Sequence, residues 1–419
     1  MPIQLIILTW FYLITSLLFT TTAIAITPQI AAGANFTCAL TSTGGVKCWG
    51  ANDVGQLGNA SLYSSYTPVD VYGLTSGITA ITAGNNHACV INSNGGVLCW
   101  GQNKLDELGS SVPKTISGFS NNGISPTDAS IPLKVFGLSS GVTAIAAGTG
   151  YTCALSLSKG GSTSSPGGEI RCWGRNEYGQ LGDGTTETRT NPVVVKGLTS
   201  GVIAITTGTC HTCALSVSKG GSTSSPSGGV TCWGCNETGQ LGNGTTDDQL
   251  IPTPVTGLDS DIIGITAGFD HTCALNKNGG VLCWGHNKFG ELGNYITGDS
   301  YVPMALTCLS RGAVQIEAGY DHTCALTNAG GVRCWGLNYH GQLGIRSNAT
   351  KTIPVFYVSG LHQGAAAINV GQHHACAITT DNGIKCWGYN EYGQLGIGTN
   401  TTRVRPVDVM NADGKPLQL

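Results

Sequence analysis

The tripeptide Cys-Trp-Gly occurs seven times, as Cys48-Trp49-Gly50, Cys99-Trp100-Gly101, Cys172-Trp173-Gly174, Cys232-Trp233-Gly234, Cys283-Trp284-Gly285, Cys334-Trp335-Gly336 and Cys386-Trp387-Gly388. Successive tryptophans lie 51, 73, 60, 51, 51 and 52 residues apart. The repeat is therefore about 51 residues long, and the two longer intervals carry insertions. A fixed period of this size means stacked supersecondary units that cannot bury their apolar faces singly.

Each unit has the same four parts. An apolar stretch ends in Gly, as in Val142-Thr143-Ala144-Ile145-Ala146-Ala147-Gly148. An aromatic or His then precedes a Thr/Ala-Cys-Ala-Leu sequence, as in His271-Thr272-Cys273-Ala274-Leu275. Gly-Val-x-Cys-Trp-Gly follows. Last come an Asn, a Gly-Gln-Leu-Gly turn such as Gly179-Gln180-Leu181-Gly182, and a Pro-Val-x-Val stretch. The segments are short, rich in Val, Ile, Thr and aromatics, and bounded by Gly, so they read as strands. No segment sustains a helical period. Charged residues make up only 10% of the chain while Gly numbers 63 of 419, a balance that suits turns and close-packed strands rather than exposed helices.

Four strands per unit and seven units predict an all-β fold, a seven-bladed β-propeller with four-stranded blades. The repeats run from near Ile30 to Val409. The first copy begins on an apolar strand and the last ends on Pro406-Val407-Asp408-Val409. These pieces are complementary, and the sequence predicts that they share one blade to close the ring.

The seventeen cysteines are too many and too regular for a reducing compartment. Fourteen form one pair per repeat, predicted as Cys38/Cys48, Cys89/Cys99, Cys153/Cys172, Cys213/Cys232, Cys273/Cys283, Cys324/Cys334 and Cys376/Cys386, each across two antiparallel strands. An 11-residue loop closed in this way contributes about 3 kcal/mol in the loop-entropy description. Cys210 and Cys235 lie symmetrically outside Cys213 and Cys232 on the same hairpin, so an eighth disulfide is expected. Cys308 is left over, free or paired between chains. The double Cys-x-x-Cys of this repeat could suggest zinc, but Cys213 and Cys232 have counterparts in six repeats that lack a four-ligand set. No metal and no cofactor is expected.

Residues 3–19 are apolar and lead to Ala23-Ile24-Ala25, an A-x-A cleavage pattern. Residues 1–25 are expected to be a signal peptide, although no Lys or Arg precedes the apolar run, and residues 26–419 the propeller. The chain is then secreted, periplasmic or at a cell surface, and membrane-bound only if the leader is uncleaved. Net charge is −3 with no basic run, which excludes a nucleic-acid footprint. Two nearly identical insertions, Ser156 to Gly168 and Ser216 to Gly229, lengthen the turn between paired cysteines. A third, roughly Ser110 to Ser130, reads as a mobile loop.

No catalytic motif is found, and the chain is expected not to be an enzyme. His87, His211, His271, His322 and His374 share one repeat position with Phe36 and Tyr151. Exchange with Phe points to a structural role, and the tryptophans read as packing between blades. Comparison of the seven copies separates scaffold from site, because exposed positions that differ between copies are free to recognise something. One such ring precedes the His position and includes Asn35, Asn86, Phe269, Asp270, Tyr320, Asp321 and His373. A second, between Asn and Gly-Gln-Leu, includes Tyr178, Phe289, Tyr339 and Tyr392. Aromatics mixed with charge suit a protein interface.

The run His-Thr-Cys-Ala-Leu…Gly-Val-x-Cys-Trp-Gly-x-Asn-x-x-Gly-Gln-Leu-Gly resembles the regulator of chromosome condensation repeat, over the whole chain after the leader. The resemblance implies a seven-bladed propeller. The Cys pair departs from nuclear and cytosolic members, and a secreted chain would not meet the nuclear GTPase on which they promote nucleotide exchange. The Ser140 to Gly148 strand is also similar to that of secreted bacterial members that inhibit beta-lactamase. Those members bind through loop residues before the His-like position, which here is the first ring. The expected function is a secreted or cell-surface scaffold that recognises an extracellular or envelope protein. The alternatives are a glycan-binding propeller and an inhibitor of a secreted enzyme.

Overall fold

The computed structural model describes residues 26–110, 127–157, 168–198, 201–217, 228–354 and 356–419. The expected leader and most of all three insertions lie outside the described residues.

Seven antiparallel units follow one another along the chain. The first is Gln29–Ala32, Phe36–Leu40, Val46–Gly50 and Ser65–Asp70, hydrogen-bonded in that order. We number the units as blades one to seven. In each, the first strand is innermost. These inner strands touch in chain order, and that of blade seven, Ala365–Val370, touches that of blade one. They line a central channel. The second strands are buried along most of their length, and Phe36–Leu40 throughout, whereas the fourth face solvent in part. In blade six the outer strand is reduced to two bridges, Arg333 to Tyr357 and Gly336 to Lys351.

The ring does not close through a shared blade. Blade one is built wholly from residues 29–70, and blade seven wholly from 365–408. Each terminal copy contains all four strands in order, so neither needs a strand from the other. No strand is shared, and closure rests on side-chain packing of Ile30, Ala39 and Trp49 with Cys376, Ile378, Cys386, Leu395 and Val409, beside a backbone hydrogen bond from Gln372 to Gly33. The C-terminal tail folds back on the same blade and buries Leu417 and Leu419.

The repeat residues explain themselves at these joints. Every blade tryptophan is fully buried. In each case its indole N–H donates to the backbone carbonyl of the preceding blade's Gly-Gln-Leu position, from Trp100 to Gln56 at 3.0 Å round to Trp49 and Gln394 at 2.9 Å. Seven buried Asn side chains (Asn52, Asn103, Asn176, Asn236, Asn287, Asn338 and Asn390) each accept from the backbone N–H five residues on, which pins the turn. The Gly after Trp has positive φ, and a Cβ on Gly285 would lie 2.5 Å from the Asp270 carbonyl oxygen.

Eight disulfides are present among the described residues. Seven join directly opposed residues of the second and third strands, as Cys38 and Cys48 do with Cα atoms 4.0 Å apart. The eighth is Cys210–Cys235, with Cα atoms 5.5 Å apart. Cys308 is free.

Candidate functional site

The His position is an inter-blade joint. Nε2 of His87, His211, His271 and His374 lies 2.8–2.9 Å from the hydroxyl of Thr152, Thr272, Thr323 and Thr37 on the next blade. Each of these hydroxyls donates to the carbonyl that also receives the tryptophan N–H, as Thr37 does to Gln394 at 2.9 Å. The threonine proton being spent, the imidazole must donate from Nε2, and its Nδ1 is the bare nitrogen. Burial holds His211, His271, His322 and His374 down at about 3 and His87 at about 4, so all five stay neutral. His373 and His374 have separate settings: His374 is fully buried in a joint, while the His373 ring packs against Tyr320 and His340.

The residues before this position ring that mouth. Ala34, Asn85, Thr149, Thr209, Phe269, Tyr320 and Gln372 line it. The second ring is not separate. The loop of each blade leans over the first ring of the next, as where the Thr238 hydroxyl donates to the Asp270 carbonyl at 3.2 Å. The two variable rings are thus one surface.

On blades five to seven this surface is aromatic. Phe269 stacks on Tyr320 with centroids 3.7 Å apart. Tyr320 leads to His373 at 5.4 Å, His373 to His340 at 5.3 Å, and His340 to Tyr389 at 4.7 Å. Tyr392 lies 6.4 Å beyond Tyr389. Phe289 and Tyr339 form an edge-on pair at 6.1 Å. Tyr339 and Tyr392 remain exposed. The other candidates fall elsewhere. Tyr178 sits on blade three beneath the Arg175 guanidinium. Asn35 accepts from Gln394 and Asn86 donates to Gln102, so both serve local polar contacts.

Beside the stacked pair lies an acidic pocket. His286 Nδ1 is 3.1 Å from Glu291 Oε1, and the Glu291 side chain is fully buried. Asp321 from blade six approaches both. Asp270, opposite, accepts from Gln240 at 3.3 Å. Burial pushes Asp270 and Asp321 each up to about 6, and the hydrogen bond to Glu291 raises His286. Tyr389, His286 and Glu291 are not among the residues that the sequence singles out. A signal exists: the residue after Cys-Trp-Gly is Ala51, Gln102, Arg175, Cys235, His286, Leu337 or Tyr389, as variable as the two rings.

The regulator of chromosome condensation (RCC1) repeat matches residues 43–91, 168–215, 227–275, 278–326, 329–378 and 385–418. The chain belongs to the RCC1 repeat family. It is 30% identical over 393 residues to the ultraviolet-B receptor UVR8 of Arabidopsis thaliana, covering 92% of this chain and 82% of the receptor. It is 29% identical over 381 residues to human E3 ubiquitin-protein ligase HERC2, covering 88% of this chain but 7% of the ligase. Yeast RCC1 (Prp20), solved bound to Kap60, superposes with a TM-score of 0.73 at 19% identity, over 93% of this chain and 85% of that one. Human WBSCR16 superposes with a TM-score of 0.70 at 20% identity, over 87% and 94%. As an RCC1-family propeller with at least one disulfide in every blade, the chain has a framework suited to an oxidising compartment.

Proposed function

We propose that this RCC1-family propeller is a secreted or cell-surface protein-binding scaffold, not an enzyme, and that it engages an extracellular or envelope protein through the aromatic band of blades five to seven. The observation that carries this reading is the chain of contacts Phe269–Tyr320–His373–His340–Tyr389. It joins three blades at the mouth, where the repeats are free to differ. Aromatic side chains give large contact area at low entropic cost and dominate interface energetics. Family likeness supports binding as the mode of action: yeast RCC1 is seen bound to Kap60. The disulfides and the leader expected at residues 1–25 support an oxidising, exported setting. Among the described residues, no helix is long and apolar enough to cross a membrane.

The test is side-by-side capture from the extracellular and envelope fractions of the source organism, with the wild type and a Phe269→Ala/Tyr320→Ala/Tyr389→Ala variant. These rings lie outside the buried joints, so the variant should keep the wild-type melting temperature. A protein retained by the wild type and lost by the variant is the expected result. Equal retention by both would remove the band from the interface. Retention by neither would overturn protein recognition and leave a glycan array as the next measurement.

A further inference from the structure

In five of seven blades the turn carries Gln, and in blades two and five it carries Glu107 and Glu291. The Gln side chain has a fixed use. Its Oε1 accepts from the backbone N–H two residues earlier, as for Tyr178, Thr238, His340 and Tyr392. In blades four and seven its Nε2 also reaches the first ring of the next blade, donating from Gln240 to Asp270 at 3.3 Å and from Gln394 to Asn35 at 3.4 Å, whereas Gln56 donates to Asp53 within its own loop.

Glu291 keeps the first contact, accepting from the Phe289 N–H at 2.8 Å, but has no proton to offer in the second. The residue it faces is Asp321. An amide-to-carboxylate contact in blade four has become two carboxylates in blade five. His286 completes the set, and one of its ring nitrogens with one oxygen from each carboxylate all lie within 4.8 Å of one another. Glu291 is fully buried and Asp321 is only 9% exposed. Among the described residues, the Asp321 carboxylate has no hydrogen-bond donor. A largely buried carboxylate that no protein donor reaches, set close to a second carboxylate, is costly unless a cation joins them.

We infer that His286, Glu291 and Asp321 form a binding site for one divalent transition-metal ion of the zinc class, set between blades five and six at the mouth of the channel. One imidazole nitrogen with two carboxylates is a borderline donor set that suits zinc better than calcium, which prefers oxygen alone. The metal takes the place of the proton now shared between His286 and Glu291. Three protein ligands leave a fourth position for water or an incoming group. In blade two the same Glu substitution has Gly150 at the position of Asp321, so the next blade supplies no carboxylate there. The inference does not depend on protein recognition by the aromatic band.

The test is calorimetric titration of the chelator-stripped full chain with Zn²⁺, in a Cys308→Ser background that removes the free thiol. One saturable Zn²⁺ per chain is expected. Glu291→Gln, which restores the residue of five other blades, and Asp321→Asn should each weaken binding by at least about tenfold. Zn²⁺ should also raise the melting temperature of the parent and not of either variant. Co²⁺ should give visible d–d bands in the parent, which reads the site without any variant. No saturable uptake, equal affinity in parent and variants, or no Co²⁺ bands would overturn the assignment.

Discussion

The joints between blades one and two and between blades six and seven both lack the threonine hydroxyl, and they deal with the loss differently. At the first, Phe36 faces Ala88, and both are fully buried. An apolar ring against a methyl leaves nothing unsatisfied. At the second, His322 faces Ala375, and neither ring nitrogen of His322 has a partner. The remaining joints set His or Tyr against Thr. In blade three, Tyr151 places its phenol 3.2 Å from Thr212 and donates to the His211 carbonyl. The ring residue and the residue after the next blade's His position therefore form a pair across the joint, and matched pairs come in two kinds, polar with hydroxyl and apolar without. His322–Ala375 is the mismatched one.

The largest effect expected from this comparison is in acid, at the joint that closes the ring. His374 is held at about 3 in the fold, against its ordinary 6.5 in the unfolded chain. Its folded pKa is depressed, so unfolding takes up a proton below pH 6.5. Its stabilising neutrality is lost progressively as pH falls from 6.5 toward 3. Replacing the pair by the blade-one kind, His374→Phe with Thr37→Ala, removes this proton uptake. Relative to wild type, the double variant should gain about 3 kcal/mol between pH 7 and pH 4. Glu107 and Glu317, both raised to about 7 by burial, act in the opposite direction in wild type and variant alike, so the difference isolates the histidine. Urea unfolding at the two pH values measures it. Parallel pH profiles would mean that the closing joint admits water.

Thr37→Ala alone turns the closing joint into a second His322–Ala375. It leaves the His374 N–H without an acceptor and should cost about 1–3 kcal/mol at pH 7. The double variant should recover most of that. If the single and double variants are equally unstable, the loss comes from the Thr37 to Gln394 hydrogen bond and not from the orphaned imidazole.

What can be read from the sequence divides along the same line as scaffold and site. Blade number, strand order and all sixteen paired cysteines are legible, because Cys-Trp-Gly and its partners repeat locally and each acts within one hairpin or one joint. Closure is not. A chain beginning on an inner strand and ending on an outer one fits a complete first and last blade as well as a shared one, and only pairing in space decides. The reduced outer strand of blade six is likewise hidden, since Pro354 and its neighbours resemble the other outer segments. At the mouth, Phe269, Tyr320 and His373 are visible as variation in a ring. Glu291 is not, because Gly-Gln-Leu-Gly reads as scaffold and a Gln-to-Glu exchange matters only once Asp321 is known to face it. Tyr389 and His286 escape notice for a different reason: they lie just past the third strand, after the repeated Gly, and only backbone pairing with His373 and Asp270 puts them beside the first ring.

The smallest effect sharpens the comparison most, because it is a gain. Ala375→Thr supplies the hydroxyl that His322 lacks. Five other joints show that Thr fits at this position, and the Gln342 carbonyl, which already receives the Trp387 N–H at 2.8 Å, is placed to accept its proton. Completing the hydrogen bond should stabilise the chain by about 1 kcal/mol, read as a higher urea midpoint with an unchanged slope. His322→Phe should move the midpoint the same way by making the pair apolar throughout. The two changes together should not add, because a phenyl ring in place of the imidazole has no use for the hydroxyl, and the expected double-mutant coupling is of the same size as either gain. Additive gains would show that the two side chains act separately, and the pairing rule across the joint would fail.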